Sequence, residues 1–258
     1  MTGVLDWTGL RDAYGPATEV PALLDALTGA DEDGRQSAIN DLYGRLLHQD
    51  TLSEATPHVV PMLAELLPRP GLDAEIRAHL TFFVAAIANT TSAFSADGTE
   101  IVCASYDEAG VETDLPETVV AARAAVVAVA PALFEHLTLE RDAAGMIALA
   151  TVAPDAVSPL HVESFAKLAT DGGDLGAAAW IAVALLRGED VDPEELRERV
   201  SGNPDVLDMV EWNLADAPTD IVARSAAFEL AASAAFPDGF GPEGFEGLDA
   251  DGLDEGAV

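Results

Sequence analysis

The sequence predicts an all-α fold, a curved α-solenoid of about five to six helix pairs. The first sign is a recurring phrase at the head of an amphipathic run. Val20-Pro21-Ala22-Leu23 is echoed by Val60-Pro61-Met62-Leu63, 40 residues on, and in weaker form by Ala130-Pro131-Ala132-Leu133, a further 70 residues on. A proline inside a helix costs about 3 kcal/mol, so its recurrence at one place predicts a required kink, and a period near 40 residues is what stacked helix pairs give. The second sign is composition. Hydrophobic residues make up 49% of the 258-residue chain and aromatics 6%, so the core is built from Ala, Val and Leu, whose small side chains let helices approach closely. The third is the lack of alternating strand pattern beyond a brief Ile101-Val102-Cys103 stretch.

Taken in order, Trp7, Leu10 and Tyr14 fall at helical spacing and predict a short opening helix that Gly15-Pro16 ends. Thr18 caps the next helix, whose stripe is Leu23, Leu24 and Leu27. Its partner carries Ala38, Ile39, Leu42, Tyr43 and Leu46 on one face. A second pair opens at Thr56-Pro57 and continues over 73–89 with Ile76, Leu80, Phe83, Val84 and Ile87 on one side. Residues 92–115 break the rhythm and predict an irregular acidic insert, functional or merely tolerated. An Ala/Val-rich helix then opens at Pro116, with a partner over 139–150. A helix holding Val162, Phe165 and Leu168 precedes one over 177–186 that is apolar almost all round and so buried. Asp192-Pro193-Glu194-Glu195 starts another, and helices with Val206 and Val210 and over 218–235 close the repeat domain at 235. Residues 236–258 read as a mobile acidic, Gly-rich tail, and the calcium-loop likeness at 249–252 as chance.

Charge excludes some partners. Twelve Lys and Arg face 46 Asp and Glu, a net charge of −34, and Lys167 is the sole lysine. Such a surface repels nucleic acid and anionic membrane. Two readings of it stay open: adaptation to a saline cytoplasm, or an acidic face for a basic partner. One cysteine, Cys103, among acidic neighbours, permits no intrachain disulfide and no Cys-based metal cage and makes a poor nucleophile. The N-terminal residues carry no secretory pattern, and the apolar run 119–133 is too short to span a bilayer, so a cytoplasmic protein is expected.

Val20-Pro21 with its leucines, the stretch from Leu42-Tyr43 to His48-Gln49-Asp50-Thr51, and Glu54-Ala55-Thr56 leading into Val60-Pro61-Met62-Leu63 resemble the HEAT-like (armadillo-type) repeat proteins of actinobacteria. Asp50 stands where those relatives typically carry Gly. The resemblance covers residues 6–67 well and 130–188 more loosely. It implies a right-handed superhelix whose second helices line a concave, partner-binding side.

Candidate chemistry is sparse. His48 and Gln49 end a second helix, where a histidine suits the helix dipole; with Arg45 they are candidates for a partner-binding rim or, alternatively, a simple cap and turn. Arg77 and His79 lie on the next second helix and would join that rim if the stacking register allowed, the alternative being a solvated helix face. Trp180 and Trp212 read as core aromatics. No metal-ligand spacing, nucleophile elbow or phosphate loop occurs, so no catalytic residue, cofactor or metal is expected. The favoured reading is a non-catalytic protein-binding scaffold, an immunity-type inhibitor being one version. Alternatives are a HEAT-like enzyme such as a bilin lyase, and an acidic mimic of nucleic acid.

Overall fold

The computed structural model describes residues 5–29, 31–107, 112–215 and 217–237. It is mostly helical, with eleven α-helices among the described residues. They follow as α1 (Val20–Ala26) and α2 (Glu32–Leu46), α3 (Thr56–Leu66) and α4 (Ala74–Asn89), α5 (Glu117–His136) and α6 (Leu139–Val152), α7 (Pro159–Leu168) and α8 (Gly173–Arg187), then α9 (Pro193–Val200), α10 (Pro204–Asn213) and α11 (Thr219–Ala235). Neighbouring helices of each of the first four couples touch, and α2, α4, α6 and α8 also pack on one another in chain order. The expected tail and its 249–252 stretch lie outside the described residues from 238 onward.

Helix starts follow local chemistry. Asp73 accepts hydrogen bonds from the backbone N–H of Glu75 (2.8 Å) and Ile76 (3.4 Å), and Asp192 from those of Glu194 (2.8 Å) and Glu195 (3.1 Å). Each satisfies donors that a first turn leaves unpaired. Gly188, at φ +65°, ends α8 in the left-handed conformation that glycine adopts without steric penalty.

The N-terminal residues depart from expectation. Instead of an opening helix there is a hairpin of β1 (Arg11–Asp12) and β2 (Gly15–Pro16). Its backbone bonds reach distant chain: Ala13 N–H donates to Arg45 O, and Ala55 N–H to Arg11 O, both at 2.9 Å. Asp12 also accepts from Tyr14 N–H at 2.9 Å, and that turn competes with helix. Thr18 does not cap α1, whose N-cap Glu19 makes no capping hydrogen bond through its side chain.

The three prolines share a theme only in part. Pro21 lies in the first turn of α1, whereas Pro61 and Pro131 are inside α3 and α5. Both interior prolines face solvent, and α3 and α5 stack side by side. On their inner sides Val60, Leu63, Ala130 and Leu133 are fully buried or nearly so. Removing an inward hydrogen bond would orphan a buried carbonyl; an outward one leaves it to water.

The centre is α4. Twelve of its sixteen residues are buried, and it meets α2, α3, α5, α6 and α11. Sequence periodicity placed a stripe on one side; the helix is enclosed all round. The C-terminal α11 packs extensively on α8 and α6 and touches α4. Its contact face includes Ala223, Ala226, Ala227 and Ala231, which bring its backbone close to the alanines of α8.

The 92–115 insert is more ordered than anticipated. Following β3 (Leu47–His48) and β4 (Thr51–Leu52), strands β5 (Ser92–Phe94) and β6 (Ile101–Cys103) complete a four-stranded sheet in the order β3-β4-β5-β6, with β4 and β5 parallel. A separate hairpin pairs β7 (Ser105–Tyr106) with β8 (Glu112–Thr113). Arg123 of α5 anchors it: its guanidinium pairs with Glu112 and donates to Ala88 O (3.0 Å) and Thr90 O (3.2 Å) at the end of α4. Cys103 is exposed on β6. Helix α5 has the length and apolarity to cross a membrane, which the shorter run 119–133 did not suggest, but here it packs on α3 and α4.

Close approach of α6 to α4 depends on Gly145, where an added Cβ would stand 2.8 Å from Thr81 Cγ2. We expect Gly145→Ala to destabilise the chain by about 1–3 kcal/mol. Thr81→Ser, which removes that methyl and keeps the hydroxyl bond to Arg77 O, should restore part of the loss. Urea denaturation of the single and double variants measures both.

Candidate functional site

The five residues expected to form a rim divide into two groups. Arg45 is spent on structure: Nη1 donates to the fully enclosed carboxylate of Asp12 at 2.9 Å, and Nη2 pairs with Glu19. This bond fastens the first hairpin to the last turn of α2. Arg77 is buried, and its guanidinium donates to Leu67 O at the end of α3 and, at 3.4 Å, to Leu72 O in the connection to α4. Burial foremost, and then the charge of Arg141, lower its pKa. His79 is 4% exposed, its ring stacked on Phe236 at 4.4 Å between centroids. Neither the solvated face nor the rim anticipated for Arg77 and His79 exists at those positions: Phe236, just after α11, lies on His79, and Arg77 is turned inward to the α3–α4 connection. The run 80–88, nearly free of polar residues, was the available signal that α4 is enclosed.

His48 and Gln49 are displayed. Helix α2 stops at Leu46, so His48 belongs to β3 rather than to a helix end. Gln49 (φ +48°) and Asp50 (φ +56°) form the two-residue turn to β4, with both residues left-handed as a type I′ hairpin requires. Such a turn favours Gly, Asn or Asp, so Asp50 suits its second position. Ser92 Oγ donates to Asp50 O at 2.6 Å and ties the turn to the insert.

This turn forms one wall of a cleft of about 840 Å³. Tyr14, 65% exposed, stands at its mouth, edge-on to the His48 ring at 5.5 Å. Tyr14 crosses α2 where Gly44 has no side chain; a Cβ there would lie 3.2 Å from the tyrosine oxygen. The Arg45 guanidinium rests over the Tyr14 ring at 5.5 Å. Opposite are the start of α10 and the last turns of α11, with Asn203, Glu229 and Phe236. Asn203 fixes that wall: Nδ2 donates to Asp174 Oδ2 (2.9 Å) and Ser233 Oγ (3.1 Å), while Oδ1 caps α10 through Val206 N–H (3.2 Å).

Glu229 was missed by sequence reading, since one acid in an Ala-rich helix carries no pattern. Its carboxylate opens to the cleft yet is crowded by the surrounding walls; this partial desolvation, and secondarily the charge of Asp50, raise its pKa. A second cavity of about 440 Å³ continues along α10 and α11 and shares Asp205, Val206 and Glu229 with the first. Among the described residues no group of three His, Cys, Asp or Glu is placed to hold a metal ion. Trp212, expected in the core, is 80% exposed on α10, whereas Trp180 is part-buried beneath Arg199.

Two outcomes follow. Arg45→Met leaves Asp12 enclosed without its cation, and a loss of about 3 kcal/mol is expected in chemical denaturation. His79 has a pKa below the usual 6.5 because burial penalises the cation. The unfolded chain therefore takes up the proton first, and this residue's contribution to stability is lost as pH falls from above 6.5 toward the lowered folded value. Relative to wild type, His79→Phe should gain stability between pH 7 and pH 5; parallel urea midpoints for the two chains would refute this.

Compared with known protein families, curated proteins and solved structures, the chain matches none.

Proposed function

We propose that this chain is a non-catalytic protein-binding scaffold of the HEAT-like helix-pair kind, and that it docks its partner at the cleft between the His48–Asp50 turn and the C-terminal helices. The paired order of α1 to α8 and the mutual packing of α2, α4, α6 and α8 support the helix-pair reading. In such an architecture the second helices would face the partner, but here α11 covers α6 and α8. The docking surface is therefore displaced to the rim, where the end of α11 faces the β3–β4 turn across the cleft.

The observation that carries this reading is the display of Tyr14. A tyrosine 65% exposed, yet held in place by His48 and Arg45 at the mouth of the largest cleft, is a preorganised aromatic anchor. Arg45 supports it from behind and is a positioning residue, while His48 and Gln49 are contact residues. An immunity-type inhibitor is one form such a scaffold takes.

Incorporating a photo-crosslinking amino acid in place of Tyr14 or Gln49 and irradiating intact cells should give a discrete adduct with one protein. The same group in place of Leu160, exposed on α7, should not. Identical adduct patterns from all three positions, or none from Tyr14 and Gln49 across growth conditions, would end the proposal.

A further inference from the structure

Resting on that reading of the cleft, a narrower inference concerns what enters it. The chain has four asparagines, and all four line the two joined cavities: Asn40 and Asn203 the larger, Asn89 and Asn213 the smaller. The cavities together engage about a tenth of the chain, so this concentration is not what scattered placement gives. Two of the amides have structural tasks, Asn203 as described and Asn213 through a 2.8 Å bond to Met209 O. The side chains of Asn40 and Asn89 make no hydrogen bond among the described residues, and Asn40 Oδ1 is enclosed without a partner. An enclosed acceptor without a donor is unfavourable, and the Asn89 amide keeps both its donor and its acceptor open for a ligand.

The carboxylates point the same way. Asp41, Asp50, Asp205 and Glu229 line the cavities, and none is in an ion pair among the described residues. No lysine or arginine lines either cavity. The chain's scarce cations are committed elsewhere: Arg35, Arg45, Arg123, Arg141, Arg187 and Arg199 each face an acid of this chain.

We propose that the joined cavities bind an extended, Arg- or Lys-bearing segment of a partner protein. Carboxylates would pair with its cationic side chains, Asn40 and Asn89 with its backbone. An amide offers both a donor and an acceptor, the complement of one peptide group. Nucleic acid does not fit, because phosphate requires the cations that the groove lacks.

Fluorescence anisotropy with a labelled nine-residue peptide alternating Arg and Gly, on the full chain, tests this. Binding is expected for that peptide and not for its Glu-Gly counterpart. Asp205→Asn with Glu229→Gln should weaken it about tenfold or more. Glu194→Gln with Glu198→Gln removes the same charge from the exposed face of α9 and should change it less than about twofold. Asn89→Ala should weaken binding without altering its salt dependence, and N-methylation of the peptide backbone should do likewise. Asp50→Asn supplies a second charge variant, on an exposed turn, should the double variant unfold. Equal losses from the α9 control and the groove variants would reduce the effect to general acidity and overturn the proposal, as would equal binding of the Glu-Gly peptide. If the Tyr14 crosslink to a protein survives while the Arg-Gly peptide neither binds nor competes, docking at the cleft stands and the cationic segment falls.

Discussion

The enclosure of α4 governs what the rest of the chain can do. A helix touched by α2, α3, α5, α6 and α11 has little water available to its polar groups, so each must be met from within. The hydroxyl of Thr81 returns to Arg77 O at 2.8 Å, that of Thr90 to Ala86 O at 2.9 Å, and Tyr43 Oη donates to His79 O at 3.1 Å. Arg77 is met at this depth by two carbonyls, Leu67 O at the end of α3 and Leu72 O in the connection just before α4. Arginine suits the place because its fork reaches two acceptors at once. Its neighbours are consequently fixed, and the enclosed polar residues Arg77 and Thr81 serve the fold, leaving Asn89 at the last position of α4 to face the smaller cavity.

Much of this was legible where chemistry is local. Asp73, Asp192 and the prolines after Ser158 and Asn203 announce helix starts that need nothing from distant chain. What failed was whatever distant chain decides. Trp7, Leu10 and Tyr14 keep helical spacing, but bonds to Arg45 and Ala55 hold that segment as a hairpin. Periodicity gave α4 one apolar side because it cannot tell a stripe from a fully covered helix once His and Arg interrupt the run. The cover itself, α11, was recognised as a helix but not as a lining: alanine on every side carries no direction. The cleft was half visible. His48 and Gln49 were singled out by their place after a helix, whereas Glu229 and Asn203 reach the same space from more than 150 positions later in the chain, and no local rule joins them.

Because α11 lies along α8 and α6, its far end faces the β3–β4 turn, and the space left between them is the cleft. The two walls therefore belong to opposite ends of the described chain. One is set by the Arg45–Asp12 pair, the other by the Asn203–Asp174–Ser233 bonds linking α8, α10 and α11. Each wall is stiff within itself, since its polar groups are cross-tied. A ligand seated between the walls would bridge the two halves and add to stability according to its concentration over its dissociation constant.

The charge of the chain sharpens what such a ligand must be. Across the surface at large, repulsion among carboxylates is screened beyond about 8 Å at physiological ionic strength, and more closely in a saline medium. Salt alone would thus quiet most of the −34 net charge. Glu229 is different in kind. The first cause of its raised pKa is desolvation by the cleft walls, and dissolved ions do not restore lost hydration; only its second cause, the field of Asp50, is screened. A cation brought into direct contact answers both causes, supplying a charge and hydrogen bonds together. High salt is therefore no substitute for an occupant at this carboxylate, whatever it does for the acids outside.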